Sequence, residues 1–228
     1  MKPMNSFHRK VLAAAACLVP MSGFAADAGD DLSYGYVEVD YINLDVDQPG
    51  ESNAFDGDFD NGGGYGISAS LPITEQFFVF GDWTETESDF GFVDSQNFFI
   101  PGNVDVKRLN LGGGFAMPMS SGADLVLRAA YSDLDFNSFN FGATSSNRFR
   151  DLDDDPSDGW MADVAWRAQW TQAIEGSLGV RYTDIEAADN ISFIGNVLFE
   201  LSPNWGINLQ VDAGDELITY GAGVRMTF

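Results

Sequence analysis

The chain has 228 residues, with 35 acidic side chains against 11 basic ones, a formal net charge of −24, one cysteine and one histidine. Such acidity repels nucleic acid, and no cluster of Lys and Arg is present to overcome it. Aromatic residues make up 14% of the chain and gather in strand-like runs, which excludes a disordered acidic polymer.

Lys2, Arg9 and Lys10 precede the uncharged run VLAAAACLVPMSGFA at 11–25, where Gly23 and Ala25 stand at signal-peptidase spacing. The pattern predicts a secretory signal peptide over 1–25 and a single domain over 26–228. Cys17 and His8 both fall in that peptide, so the mature chain would hold no disulfide, no thiol and no imidazole. Histidine-based triads, dyads and metal sites are then out of reach, and the chain is read as not an enzyme. Beyond the peptide, no stretch approaches the roughly 18 uncharged apolar residues of a transmembrane helix. If this chain enters a membrane, it does so as strands.

Period-two alternation predicts ten strands near 32–46, 63–71, 76–87, 104–117, 124–134, 158–170, 174–185, 191–201, 205–213 and 217–228. In the first, Val37, Val39 and Tyr41 give way to Ile42 and Leu44, which suggests a bulge. The sixth, WMADVAWRAQW at 160–170, puts Trp160, Val164, Trp166 and Trp170 on one face and Asp163 and Arg167 on the other. Short connections (PITE, PMSSGA, TQA, SPN) alternate with a second set, three long polar ones near 47–62, 88–103 and 135–157 and two shorter ones near 186–190 and 214–216. Sorted loops of this kind mark an antiparallel transmembrane meander, and the chain ends in a strand with an aromatic terminus, Arg225-Met226-Thr227-Phe228.

The fold class predicted is therefore all-β: a closed antiparallel transmembrane β-barrel of ten strands, or eight if two weaker segments are loop hairpins. Hydrocarbon leaves no water for backbone groups, so the strands must close, with apolar side chains toward lipid and polar ones toward the lumen. Aromatics are expected in two girdles, Tyr41, Trp83, Tyr131, Trp160 and Tyr182 at the loop end and Phe77, Phe115, Trp170, Trp205 and Phe228 at the turn end. A soluble barrel would have to bury five arginines or expose most of the tryptophans.

The inward parity collects Arg108, Arg128, Arg167, Arg181 and Arg225 with Glu38, Asp40, Asp82, Asp163, Glu175, Glu200 and Asp212. Arginines crossing a narrow lumen would pair with carboxylates on neighbouring or opposite strands. Such a network either plugs the lumen in place of a hydrophobic core or lines a narrow ion pathway. Asp163 and Arg167 share a face but stand about 13 Å apart at roughly 3.3 Å per residue, too far for a direct bridge. Each should find its partner on another strand.

In the first long loop, Asp56, Asp58 and Asp60 have the spacing that opens a calcium loop, but Asn61 and Ile67 stand where the EF-hand glycine and closing glutamate belong. The readings are a solvated acidic loop or a loose Ca²⁺ or Mg²⁺ site; otherwise no cofactor is expected. The partners expected are outer-membrane lipid and lipopolysaccharide, and the barrel-assembly machinery through the C-terminal strand. A monomer that binds no nucleic acid is expected.

The segments LSYGYVEVDY at 32–41, FFVFGDW at 77–83, LSPNWGINLQVDAGDE at 201–216 and the GAGVRMTF end carry a resemblance. With them the chain resembles small Gram-negative outer-membrane barrels, and more closely the xanthomonad family once proposed to activate a rice immune receptor. That resemblance implies the outer membrane and its vesicles, with roles in surface properties, biofilm and host or cell contact, and it implies no catalytic residue. Two functional readings follow: a structural, surface-interacting barrel, or a narrow, porin-like passive channel that prefers cations.

Overall fold

The computed structural model describes residues 32–46, 62–93, 99–120, 122–137, 157–185, 188–214 and 217–228. Every regular element in them is a strand: β1 (Tyr36–Val46), β2 (Gly62–Pro72), β3 (Phe77–Val93), β4 (Phe99–Ser120), β5 (Ala123–Asn137), β6 (Ser157–Thr171), β7 (Ile174–Ile185), β8 (Ala188–Ser202), β9 (Trp205–Ala213) and β10 (Leu217–Thr227). Each pairs antiparallel with its sequence neighbours, and β1 pairs with β10, so the ten close into a barrel with no free edge around its wall. All ten predicted strands are present, and the eight-stranded alternative does not occur.

The boundaries differ most in two places. β3 and β4 run for 17 and 22 residues, and their ladder continues to Val93↔Phe99. Most of the stretch 88–103, predicted as a connection, is thus a hairpin that continues past the strands' apolar part. Out there the alternation is no longer dictated by lipid, which is why sequence pattern alone ended the strands early. At the other place, residues 32–35 are not strand; they leave the wall at the turn end of β1.

The predicted bulge in β1 is absent. Its pairing with both β10 and β2 is unbroken from Tyr36 to Leu44, so Ile42 keeps inward parity and is buried. Ile42 lies over Gly66, where an added Cβ would come within 2.9 Å of its Cδ1. The change in hydrophobic pattern marks an apolar residue in the lumen, not an extra residue in the strand. Register shifts occur instead at three short turns, between Pro118 and Ser120, Gln169 and Thr171, and Glu200 and Ser202. Gly122, in the first of these turns, has φ 75°, a conformation that needs glycine.

The polarity of the fold is inverted. Large apolar side chains point outward, with Phe193 69% and Leu178 60% exposed, while Glu38, Asp40, Asp163, Glu175 and Arg225 are buried. Such a belt suits lipid and not water. At its loop end Tyr41 meets Tyr65 edge-on at 5.7 Å, Tyr131 stands opposite Trp160 in register, and Trp160 packs on Tyr182 at 5.2 Å. Trp160 also donates its indole N–H to Asp184 at 3.0 Å, the polar tip of an interfacial ring. At the turn end Phe77 lies 4.8 Å from Phe115, and Trp170 and Trp205 are exposed beside the short turns. Trp83 is half-buried and pairs with Ile67, one step deeper in the belt than Tyr65.

Above the loop-end girdle the outward face turns acidic. Asp133 stands directly opposite Asp158, and Glu85 pairs with Lys107 at 3.2 Å. Burial first, then the charges of Asp135 and Asp158, push the Asp133 carboxyl above its usual range. Asp56, Asp58 and Asp60 lie outside the described residues.

The lumen is not wholly polar. Phe78, Phe80, Ala116, Val126, Ala130 and Met161 form a buried apolar cluster with Tyr34 that runs from the turn end up to Met161, beside the loop-end girdle. The expectation that charge pairs replace a hydrophobic core is corrected accordingly.

Candidate functional site: the lumen and its turn-end mouth

Alternation places the charged residues, and strand register decides which of them meet. Arg128 on β5 donates twice to Asp163 on β6, Nε to Oδ1 at 2.9 Å and Nη2 to Oδ2 at 2.8 Å. Asp163 also receives Arg181 of β7 at 3.4 Å, and Arg181 reaches on to Asp212 of β9 at 2.6 Å. Arg167 of β6 holds Glu175 of β7 through two donations, at 2.6 and 2.8 Å. Arg225 of β10 donates to Glu38 of β1 at 2.5 Å, across the strand pair that closes the barrel. Asn208 of β9 gives Glu38 a second donor at 2.7 Å. Asp163 and Arg167 do not bond to each other; both find partners on neighbouring strands.

Four predicted members stand outside these ion pairs. Asp82 accepts from Asn110 at 2.6 Å and Glu200 from Gln169 at 3.3 Å. Asp40 lies beside Glu38, and its Oδ1 has no hydrogen-bond partner among the described residues. Arg108 makes no ion pair with a described residue, and its buried Nε is unpartnered.

The pairs join strands that are adjacent or one apart: β5–β6, β6–β7, β7–β9 and β10–β1. Of the two arrangements expected, partners on neighbouring strands and partners on opposite ones, these pairs take the first. Strands 4.7–4.9 Å apart let a guanidinium fork reach the next wall position without leaving the wall. The charges coat the lumen instead of spanning it.

What spans it is the segment before β1. Gly35 sits where the chain turns inward, and an added Cβ there would fall 2.7 Å from the Phe228 carbonyl oxygen. Gly35 O accepts from Phe228 N at 3.0 Å, which ties the turn to the last residue of the chain. Tyr34 then enters the lumen. Its ring stacks on Phe78 of β3 at 4.8 Å and 17°, and its hydroxyl donates to Asp124 of β5 at 2.7 Å. The Arg167 guanidinium lies 4.5 Å from the centre of the same ring, and its Nη2 donates to Ser33 O at 2.8 Å. Because β6 is five strands from β1 in either direction, these contacts cross the full width of the barrel.

The wall is shaped to receive this segment. Phe78 pairs in register with Gly114, and Phe80 with Gly112. A Cβ on Gly114 would lie 2.1 Å from the Phe78 ring. Phe78 thus lies flat over bare backbone and offers its other face to Tyr34. Gly114→Ala should cost about 1–3 kcal/mol of stability, because the buried ring has to shift. Urea unfolding in detergent measures this, and an unchanged midpoint would refute the tight seat. Sequence parity alone could have flagged the seat, since two inward phenylalanines on one strand face two inward glycines on the next.

Above Tyr34 the lumen holds a cavity of about 210 Å³. Its lining runs from Tyr34, Arg167 and Glu175 at the turn end to Arg108, Gln210 and Thr219 toward the loop end.

No family model matches the chain, and no curated protein does. Solved structures do match. The outer-membrane protein OprG from Pseudomonas aeruginosa is 10% identical, with a TM-score of 0.49 over 87% of this chain and 98% of that one. The KdgM porin is 12% identical, with a TM-score of 0.45 over 84% of this chain and 99% of that one. Ail, the attachment invasion locus protein of Yersinia pestis, is 13% identical, with a TM-score of 0.39 over 85% and 99%. These neighbours are small Gram-negative outer-membrane β-barrels.

Proposed function

We propose that the chain is a Gram-negative outer-membrane β-barrel that is closed at rest and acts through its surface, in biofilm, host or cell contact. The observation that carries the closed state is the segment Leu32–Gly35, which crosses the turn-end mouth and is held by Phe78, Asp124 and Arg167. The membrane setting rests on the inverted polarity and the two aromatic girdles, which fit lipid on the outside and an ion-paired, hydrated wall on the inside. The acidic collar around Asp133 and Asp158 faces outward above the belt, in the zone of lipopolysaccharide headgroups. The resemblance to the xanthomonad barrels extends the proposal to outer-membrane vesicles. Assembly would proceed through the β10 strand end, and the barrel would act as a monomer. Nothing in this role calls for catalysis or a cofactor.

Purified protein in a planar lipid bilayer tests the closed state. Silent membranes with protein inserted are expected. Steady channel steps from the wild-type barrel would overturn the closed reading.

A further inference from the structure

The lumen wall is built like a conduit, and among the described residues one element obstructs it from side to side. All four paired arginines are tied along the wall, and Phe78 lies against it over Gly114. Ser33 and Tyr34 are the described residues that bond from one side of the ring toward the other. The strap that carries them spans only residues 32–35, has no strand pairing of its own, and depends on side-chain and single carbonyl contacts. Removing those contacts would break no barrel ladder.

Behind the strap the cavity already exists. Its 210 Å³ is room for a group of waters, enough for a hydrated file of small ions. The charges facing it balance, and only the carboxylates behind and below them, Asp163 and Asp124, tip the site negative. Glu38, Asp40, Asp82, Glu175 and Asp212 line it against the five arginines, and Asp163 is buried behind Arg128 and Arg181. Withdrawal of Tyr34 would uncover Asp124 at the mouth, adding a negative charge there.

We infer that residues Leu32–Gly35 are a gate, and that the barrel conducts small monovalent cations when this strap leaves the mouth. The inference rests on the closed state proposed above and adds its regulation and its solute. A stimulus that frees the strap acts by competing for Tyr34, Asp124 or Arg167, since those are the groups holding it.

Single-channel recording of three variants tests the gate. Tyr34→Ala removes the stack, the hydrogen bond and the guanidinium contact together. Its open fraction should rise on the order of tenfold. The triple change Leu32→Gly, Ser33→Gly, Tyr34→Gly should stay open, with a reversal potential in a KCl gradient that favours K⁺ over Cl⁻. Gly35→Ala leaves Tyr34 intact but drives the turn against the Phe228 carbonyl, and it too should open the channel. Each variant is first shown to be folded by its heat-sensitive gel mobility and strand circular dichroism. A folded but silent triple variant would overturn the gate while leaving the closed barrel standing. An open but Cl⁻-selective triple variant would overturn the cation assignment. Steady conduction by the wild type would defeat the closed reading itself.

Discussion

Asp163→Ala should lower the unfolding free energy by about 3–5 kcal/mol, the largest single-site effect expected in the lumen. The Asp163 side chain is fully buried and receives two guanidinium groups, from Arg128 on one side and Arg181 on the other. Alanine takes from Arg128 the carboxylate that accepts both its hydrogen bonds and leaves it against the Phe80 ring, 5.3 Å from its guanidinium. Arg181 keeps Asp212 and suffers less. Asp163→Asn should lose less than alanine, because an amide oxygen can still accept from Arg128 Nε. The double change Asp163→Ala, Arg128→Met should recover much of the loss, since it removes the stranded charge as well. Equilibrium unfolding by urea in lipid vesicles, followed by tryptophan fluorescence, reads all three. If Asp163→Ala unfolds within 1 kcal/mol of wild type, on the order of a surface ion pair, the pairing is only decoration on a hydrated wall.

Val164→Arg should cost about 2–4 kcal/mol, the depth-dependent penalty for a cation on the lipid face near the bilayer midplane. Val164 is exposed and lies midway along β6 between the rim residues Trp160 and Trp170, flanked in register by Leu127 and Val180. The same change at Leu201, also exposed but next to the turn that leads into β9, should cost only about 0–1 kcal/mol, because the side chain can snorkel to water. Unfolding in vesicles of defined thickness separates the two. Equal penalties at the two depths would contradict the placement of the belt. Val164 faces out while Asp163 faces in, so one residue of register distinguishes a lipid penalty from a lost ion pair.

The wall was legible in the amino-acid sequence because the alternation is strict wherever lipid imposes it. Leu178, Val180 and Tyr182 against Glu175, Ser177 and Arg181 leave no other face assignment for β7. Where lipid ceases to impose it, legibility ended: the outer parts of β3 and β4 looked like loop, and the run Leu32–Gly35 looked like strand. Ile42 was misread because an apolar residue on the inward face imitates a slipped register. The lumen partners divide along similar lines. Arg167 and Glu175 flank one short turn, so proximity follows from the hairpin. Arg225 meets Glu38 only because β10 closes on β1, and no local pattern encodes that. The seat of Tyr34 needs three strands from different parts of the chain, β3, β5 and β6, to come together, which only the closed ring provides.

Strict alternation also governs how such a chain could travel. Most inward residues of a strand are polar or small and apolar runs stay short, so the lipid-facing belt exists nowhere as a long continuous stretch along the thread. A translocon that retains runs of apolar helix meets nothing to hold in Leu178, Val180 and Tyr182 spaced by Gly179 and Arg181. Scattered residues become one surface only when the ladders form and β10 finds β1. Affinity for a bilayer is thus a property of the folded ring and not of its segments. For this chain, to fold and to become a membrane protein are the same event.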